Sequence, residues 1–475
     1  MWRRFDTNRY LAQTVTTSVK CLIFLLSTCT VLAISKPVTP DGFVTFNTTI
    51  TLQVVENPML RRGSPICDKA FDALREMKAE MVRLAFWYPY PRLAVAELAP
   101  PNGTHTFWDF SLIDPIVEDF MNASEGRDVV FEFCTTPEWM WKTDQPVTIP
   151  SDPDEVMWGY SQGTVLIDPT AKQLGQYYAR VLSWYTKGGF TDELGVFHSS
   201  NYFYNITHWE VLNEVEAEHS MSPETYTIIY DAIVKAILEV QPSMKFVGMA
   251  LSGHYEWNWY KYFLNQSNHQ PGVPIGVRNN LTIYNQFFSD ADNFVQEVKQ
   301  IIVIRDKLNP EVKLSADEVG VILPGDNTPT DDEPLNPLYW SANGAMYAYL
   351  AGKLGLLGYP SQFPSVTLVN YTTGSPNARL RVQNLIHQYI RKGNDIAEIK
   401  LESDDVFGLL IVDGKDIRVM LVNKKNQDVD VKVPFVNRGV VLSVDPSTGE
   451  GLPSSAKFEG VVHIQPWSVN IVIVE

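Results

Sequence analysis

Two stretches of this 475-residue chain carry side chains whose types suit a two-carboxylate reaction. Residues 208–214, His-Trp-Glu-Val-Leu-Asn-Glu, form a short apolar run ending in Asn213 and Glu214, just before a new helical pattern begins. Residues 313–320, Lys-Leu-Ser-Ala-Asp-Glu-Val-Gly, carry Glu318. Hydrolysis of a glycosidic bond needs one carboxyl group to protonate the leaving oxygen and another to attack, or to activate water against, the anomeric carbon. Taken singly, each glutamate reads as well as a helix-capping or ion-paired group, and Asp317 competes with Glu318 for the acidic role. Their joint placement is what makes them a pair.

The elements that must position them follow from periodicity. From about Phe43, apolar strand-like runs at 49–55, 81–87, 129–134, 207–212, 245–251, 281–288, 313–321 and 365–369 alternate with amphipathic segments. Eight parallel strands close a barrel whose reacting residues sit at the strands' C-terminal ends, and Glu214 and Glu318 fall after the fourth run and in the seventh. Between the runs, Ser222-Pro223 reads as an N-cap and first helical residue, and Tyr226, Ile229, Tyr230, Ile233, Ile237 and Val240 then line one helical face. Leu174, Tyr177, Tyr178, Val181 and Tyr185 do the same earlier, as do Phe294, Val295, Val298 and Ile302 later. The expected fold class is therefore α/β, a (β/α)8 TIM barrel over residues 42–394. An open doubly wound sheet is the alternative, but the glycine-rich turns of its nucleotide-binding versions are missing.

After a last helix near 378–391 the pattern changes to period two. Val429, Val431 and Val433 alternate with charged residues, and Val469, Ile471 and Ile473 close the chain in the same way. Asp413-Gly414 and residues 424–426 read as hairpin turns. A C-terminal β-sandwich is expected over 395–475, with residues 43–46 as candidates to pair with it.

Composition excludes several classes. An apolar content of 45% with 12% aromatic residues supports a large core, and a formal charge of −17 repels nucleic acid. Residues 21–34 form an apolar run behind Arg3, Arg4, Arg9 and Lys20, too short to span a bilayer and followed by a small-residue cleavage pattern. We read 1–35 as a secretory signal peptide, with a retained signal-anchor as the alternative. Its removal leaves a body near about −20. Sequons at Asn47, Asn102, Asn122, Asn205, Asn265, Asn280 and Asn370 agree with a secreted, N-glycosylated protein. Only Cys67 and Cys134 lie outside the signal, so there is no disulfide framework, and spacing leaves their pairing open. The histidines show no metal-ligand spacing; His208 and His219 flank the first motif as packing or locally bonded groups. No cofactor and no metal are implied.

Three stretches together resemble a known family: residues 208–214, the Ser-Ala-Asp-Glu-Val-Gly run ending at Gly320, and 129–141, Val-Val-Phe-Glu-Phe-Cys-Thr-Thr-Pro-Glu-Trp-Met-Trp. They are similar to the clan A retaining glycosidases, most of all to glycoside hydrolase family 39, which contains β-xylosidases and α-L-iduronidases. The likeness covers most of the chain, including the passage from residue 376 into the C-terminal strands. It implies that Glu214 is the general acid/base and Glu318 the nucleophile. It further implies that Asn213 holds the sugar 2-hydroxyl, that Arg83 lies near Glu318 and keeps it ionised, and that Tyr284 on the sixth strand orients the nucleophile. Asn285 and Trp340 join the expected carbohydrate-binding residues, and Trp87, Trp139 and Trp141 are either sugar platforms or core residues.

The chain departs from the family pattern at residues 284–287, Tyr-Asn-Gln-Phe, and at Val215, where a proline commonly follows the Asn-Glu pair. The leading expectation is a secreted retaining glycosidase on neutral, β-xyloside-like substrates. A glycan-binding protein without turnover and a transglycosidase are the alternatives.

Overall fold

Short β-branched and aromatic runs cannot bury two faces as isolated strands, so they assemble between layers of helices. The computed structural model describes residues 42–49, 51–77, 79–87, 89–145, 147–157, 160, 163–253, 256–275, 277–282, 287–320, 337–358 and 368–474; side chains of 277–282, 317–320 and 337 are outside that description. The leader region before residue 42 therefore lies outside it, as do Tyr284 and Asn285.

In chain order the first strands are β1 (Val44–Thr45), β2 (Thr51–Val55), β3 (Met81–Phe86) and β4 (Asp128–Phe133), followed by a small hairpin of β5 (Gly189–Thr191) and β6 (Phe197–Ser199). Next come β7 (His208–Glu210), β8 (Lys245–Val247), β9 (Val277–Thr282) and β10 (Leu314–Gly320). A five-stranded parallel sheet has the order β2-β3-β4-β7-β8, and β9 and β10 form a separate parallel ladder. The sixth strand differs from expectation: it already begins at Val277, and Phe287 and Phe288 belong to a helix. Most of the expected eighth strand lies outside the described residues; Val369 makes an isolated antiparallel bridge to Pro376.

The helices are α1 (Cys67–Glu76), α2 (Pro91–Ala94), α3 (Asp114–Ala123), α4 (Lys172–Thr186), α5 (Pro223–Val240), α6 (Trp257–Phe263), α7 (Phe287–Leu308), α8 (Pro337–Leu356) and α9 (Ala378–Tyr389). The start of α5 is set by Ser222, whose hydroxyl accepts from the Thr225 amide at 3.3 Å, with Pro223 at the first helical position. Its buried face, Tyr226 through Ile237, lies close against α4 because Gly175 has no Cβ; one built there would sit 2.6 Å from the Ala232 carbonyl oxygen.

Alternation along the parallel strands sorts their side chains onto two faces. On one, Phe86, Phe133 and Trp209 stack in succession, with ring centroids 4.2 and 5.8 Å apart, and belong to the main core with the helices. On the other, Met81, Val130 and Val247 form a small separate apolar cluster.

The C-terminal strands are β11 (Asp395–Ile399), β12 (Val406–Asp413), β13 (Asp416–Asn423), β14 (Val429–Val431), β15 (Arg438–Val444), β16 (Ser454–Glu459), β17 (Val462–Ile464) and β18 (Val469–Val474). Seven strands join in one antiparallel sheet of order β1-β11-β12-β13-β18-β15-β16, with Val44 opposite Ile396. Gly414, left-handed at φ 62°, closes the β12–β13 hairpin. Residues 424–426 do not make a second hairpin: β14 pairs with β17, so this turn carries the chain from one sheet to another. Val419, Leu421 and Val472 from the large sheet share an apolar cluster with Val431 and Ile464 from the β14–β17 ladder.

Residues from Gly42 onward form one compact unit. Helix α8 joins its two sheet systems. Phe407 of β12 occupies the space above Gly352, where a Cβ would lie 2.6 Å from its ring, and meets Tyr349 edge-on at 5.1 Å. Cys67 and Cys134 are both buried and unbridged. Among the described residues no helix is long and apolar enough to cross a membrane.

Truncating Phe407 would empty this junction. Phe407→Ala is expected to lower unfolding stability by about 3–5 kcal/mol in urea titration. A single shared transition for near-UV and far-UV signals is expected, because one core serves both parts.

Candidate active site

Three neighbouring parallel strands each place one charged residue inside an otherwise apolar run: Arg83 on β3, Glu132 on β4 and Glu210 on β7. All three are essentially excluded from solvent, with Arg83 at 1% exposure and both glutamates at 0%. Glu132 and Glu210 are register partners, and Arg83 lies two residues below them on the same face, opposite Val130. Its guanidinium donates to Glu210 through Nε at 2.9 Å and Nη2 at 3.1 Å, and Nη2 also lies 2.6 Å from Glu132. Nη1 donates to Gln53 of β2 at 2.7 Å, and Nη2 reaches Asn213 Oδ1 at 3.3 Å. A planar five-donor fork is the side chain that can serve four acceptors at once, which lysine cannot. One cation thus stands between two carboxylates above the Met81–Val130–Val247 cluster.

Past the end of β7 the backbone leaves strand geometry. Leu212 and Glu214 are left-handed at φ 60° and 41°, and beside them Met249 and Ala250, past β8, are left-handed at 72° and 32°. For residues bearing a Cβ this conformation costs about 1–2 kcal/mol each. Hydrogen bonds hold the two segments together: the Glu214 amide donates to Ala250 at 2.9 Å, the Tyr226 hydroxyl donates to Val211 at 2.9 Å and accepts from Met249 at 2.7 Å. Strain of this kind turns the side chain of Glu214, which is half-exposed, out of the strand's alternation.

The turn that follows folds back on the site. The Glu218 amide donates to Glu214 at 2.7 Å, and Glu218 Oε1 accepts from the Trp87 indole at 2.8 Å and from Asn213 Nδ2 at 3.3 Å. Asn213 is therefore oriented from both ends, its oxygen by Arg83 and its nitrogen by Glu218. Trp87 also uses its amide, which donates to Glu56 Oε2 at 3.1 Å. Burial pushes the Glu56 carboxyl well above the usual range, against the Trp87 amide bond that lowers it. Burial likewise raises Glu216, against hydrogen bonds from Gly253 at 2.6 Å and Ser252 at 3.0 Å.

On the other carboxylate's side, β10 pairs with β9 in a register that slips between Ala316 and Val319. Asp317 and Glu318 occupy the extra length of a bulge, a device that re-aims side chains and recurs beside active sites. Their side chains lie outside the described residues, so Arg83 is placed by its contacts to Glu132, Glu210, Gln53 and Asn213.

Other expected residues fall as follows. Trp141 is a core residue, 2% exposed with its indole donating to Thr136 at 2.6 Å, which removes it as a sugar platform. Trp139 is half-buried and donates to the Glu97 carbonyl at 2.9 Å. Trp340, on α8, is half-buried with the Arg379 guanidinium 4.9 Å from its ring. His208 bonds its neighbour Thr207 at 2.8 Å, whereas His219 packs on Trp141 with neither ring nitrogen hydrogen-bonded, and burial lowers it to about 4. Sequence reasoning missed Gln53, Glu56, Glu132, Glu210 and Glu218 as site components. A signal existed for three members of the cluster: Arg83, Glu132 and Glu210 each interrupt a run with no polar face. Among the described residues no group of three or more His, Cys, Asp or Glu side chains is placed to hold a metal ion.

No protein-family model matches the chain, and no curated protein does. Solved structures do match over nearly the whole fold. A conserved exported protein from Bacteroides fragilis is similar at 12% identity, covering 92% of this chain and 99% of its own, with a TM-score of 0.62. A family 30 endoxylanase from Clostridium papyrosolvens matches at 12% identity over 91% and 98%, with a TM-score of 0.55. A family 39 β-xylosidase from Caulobacter crescentus matches at 15% identity over 91% and 97%, also at 0.55. At such identities the likeness is one of fold, an α/β fold with a parallel and an antiparallel sheet.

Two outcomes are expected from the buried groups. Arg83→Met leaves Glu132 and Glu210 facing each other without a cation and should cost about 3–5 kcal/mol in chemical denaturation. Between pH 6.5 and about 4 an unfolded His219 binds a proton that the folded ring refuses, so stability falls as pH falls through that window. His219→Leu should lose this component, seen as a smaller drop than wild type between pH 7 and 4 in urea titrations.

Proposed function

We propose that the chain is a retaining glycoside hydrolase, built as a closed (β/α)8 barrel over 42–394 with a β-sandwich over 395–475 and related to family 39. The observation that carries this reading is the strained Asn213-Glu214 turn, bonded to the end of the next strand and braced from below by the Arg83 cluster. A glutamate held in that way at a strand's C-terminal end is a positioned proton donor. Glu318, at the backbone bulge of β10, would be the second carboxylate.

In this mechanism Glu318 attacks the anomeric carbon while Glu214 protonates the departing oxygen, giving a glycosyl-enzyme and the free alcohol. Glu214, now ionised, takes a proton from water, whose oxygen displaces Glu318 and restores both groups. Asn213, oriented by Arg83 and Glu218, would hydrogen-bond the sugar 2-hydroxyl. By the family resemblance Tyr284 would orient the nucleophile, and Asn285 and Trp340 would contact the sugar. Glu132 and Glu210 outnumber Arg83 in the floor, which disfavours uronates and sulfated sugars and favours neutral β-glycosides, β-xylosides first.

Export fits this substrate class, with residues 1–35 as the signal. Asn102, Asn122 and Asn205 of the sequons are solvent-exposed, as glycan attachment requires.

Hydrolysis of aryl β-xyloside should fall about 10²–10⁴-fold in Glu214→Ala. A mechanism-based fluorosugar should label Glu318, read by peptide mapping. Attachment at another residue breaks the role assignment, and retained glycan binding without turnover on any aryl glycoside turns the reading to a binding protein.

A further inference from the structure

At the opposite end of the parallel strands, about 20 Å from the Asn213-Glu214 turn by strand length, lies a groove of ≈ 750 Å³. Four parts of the fold meet there: the end of α1 and the approach to β3 (Glu76, Glu80), the outer side of α9 (Arg381, His387), the turn after it (Arg391, Lys392), and the β15–β16 loop (Leu452). The groove is of the size that takes a small ligand rather than a few waters.

Three features set it apart. First, Arg381, Arg391 and Lys392 make no ion pair among the described residues, although the chain as a whole carries −17. The bonds they do make go to backbone carbonyls, Arg381 to Glu450 at 3.1 Å and Arg391 to Gln388 at 3.3 Å. Second, two buried polar atoms in the lining lack any partner, Arg381 Nε and His387 Nε2. Native interiors leave such atoms unsatisfied seldom, because each forfeits a hydrogen bond it had in water. His387 is neutral at neutral pH, since burial, and then the charge of Arg127, lowers it to about 4. Third, Leu452 at the rim is 76% exposed, an apolar surface next to a donor-rich floor.

We propose that this groove is a second binding site, distinct from the reaction centre, for a sugar acid of monosaccharide to disaccharide size. Arg381, which also feels the charge of Glu76, and Arg391 and Lys392, none ion-paired within 4 Å among the described residues, take its carboxylate. Arg381 Nε and His387 Nε2 meet ring or hydroxyl oxygens, and Leu452 covers an apolar sugar face. Glu76 and Glu80 oppose a multiply charged ligand but accept from hydroxyl groups, which selects one carboxylate on a hydroxylated skeleton over a polyanion.

Calorimetry on the full chain tests this with D-glucuronate, D-glucose and inorganic phosphate. Glucuronate should bind and glucose should not. Arg381→Met and, independently, the exposed Lys392→Met should each weaken glucuronate by about tenfold, the loss of one charge-assisted bond. Thermal melting checks that both variants are folded. Glu318→Ala should leave the binding unchanged, so the result does not depend on the proposed reaction. No uptake of glucuronate, uptake indifferent to both cation substitutions, or phosphate or glucose binding as tightly as glucuronate would each overturn a sugar-acid site.

Discussion

A positive charge buried among acceptors from four strands is the constraint on which the rest of this structure turns. Arg83 cannot shed its proton, so the chain must surround it with acceptors or lose it to solvent. Gln53, Glu132, Glu210 and Asn213 are those acceptors, and meeting them fixes the stagger of β2, β3, β4 and β7. A slip of one residue would turn the charged set toward the helices and the stacked Phe86, Phe133 and Trp209 toward the polar side. Register and site are thus enforced by the same group.

The same guanidinium explains why the strained turn after β7 persists. Left-handed residues at Leu212 and Glu214 relax unless their surroundings over-determine them. Here Arg83 holds Asn213 from beneath, Tyr226 holds Val211 and Met249 from behind, and Glu218 closes from above. Val215, anomalous in the sequence, is fully buried and its carbonyl accepts from the Met221 amide, so an apolar side chain there anchors the returning turn.

Much of this architecture was legible in the chain because local signals agreed with tertiary ones. Ser222-Pro223 and the tyrosine-isoleucine face announced α5, and the valine alternation announced β14 and β18. Legibility failed where pairing overrode composition. The ninth strand runs through Arg278, Asn279 and Asn280 because their backbone pairs with β10, whereas the apolar Phe287 and Phe288 belong to α7. Residues 424–426 looked like a hairpin because turn chemistry does not reveal which sheet the next strand joins. In the site, Asn213 and Glu214 were visible as a pair, but Glu218 was not, since only a left-handed turn brings it back onto Asn213. Glu132 and Glu210 lie in the runs at 129–141 and 208–214, where strand alternation alone does not single out a buried charge.

One pairing has a temporal side. Val44 and Thr45 at the start of the described chain find their partners in Ile396 and Asp395, some 350 residues later. At a synthesis rate of about 5–20 residues per second, the first strand emerges and waits on the order of half a minute before its neighbour exists. During that interval the edge it presents is open to any other strand, and the long loop it must close slows its own capture. The molecule therefore finishes its last sheet only after most of the polypeptide has been made.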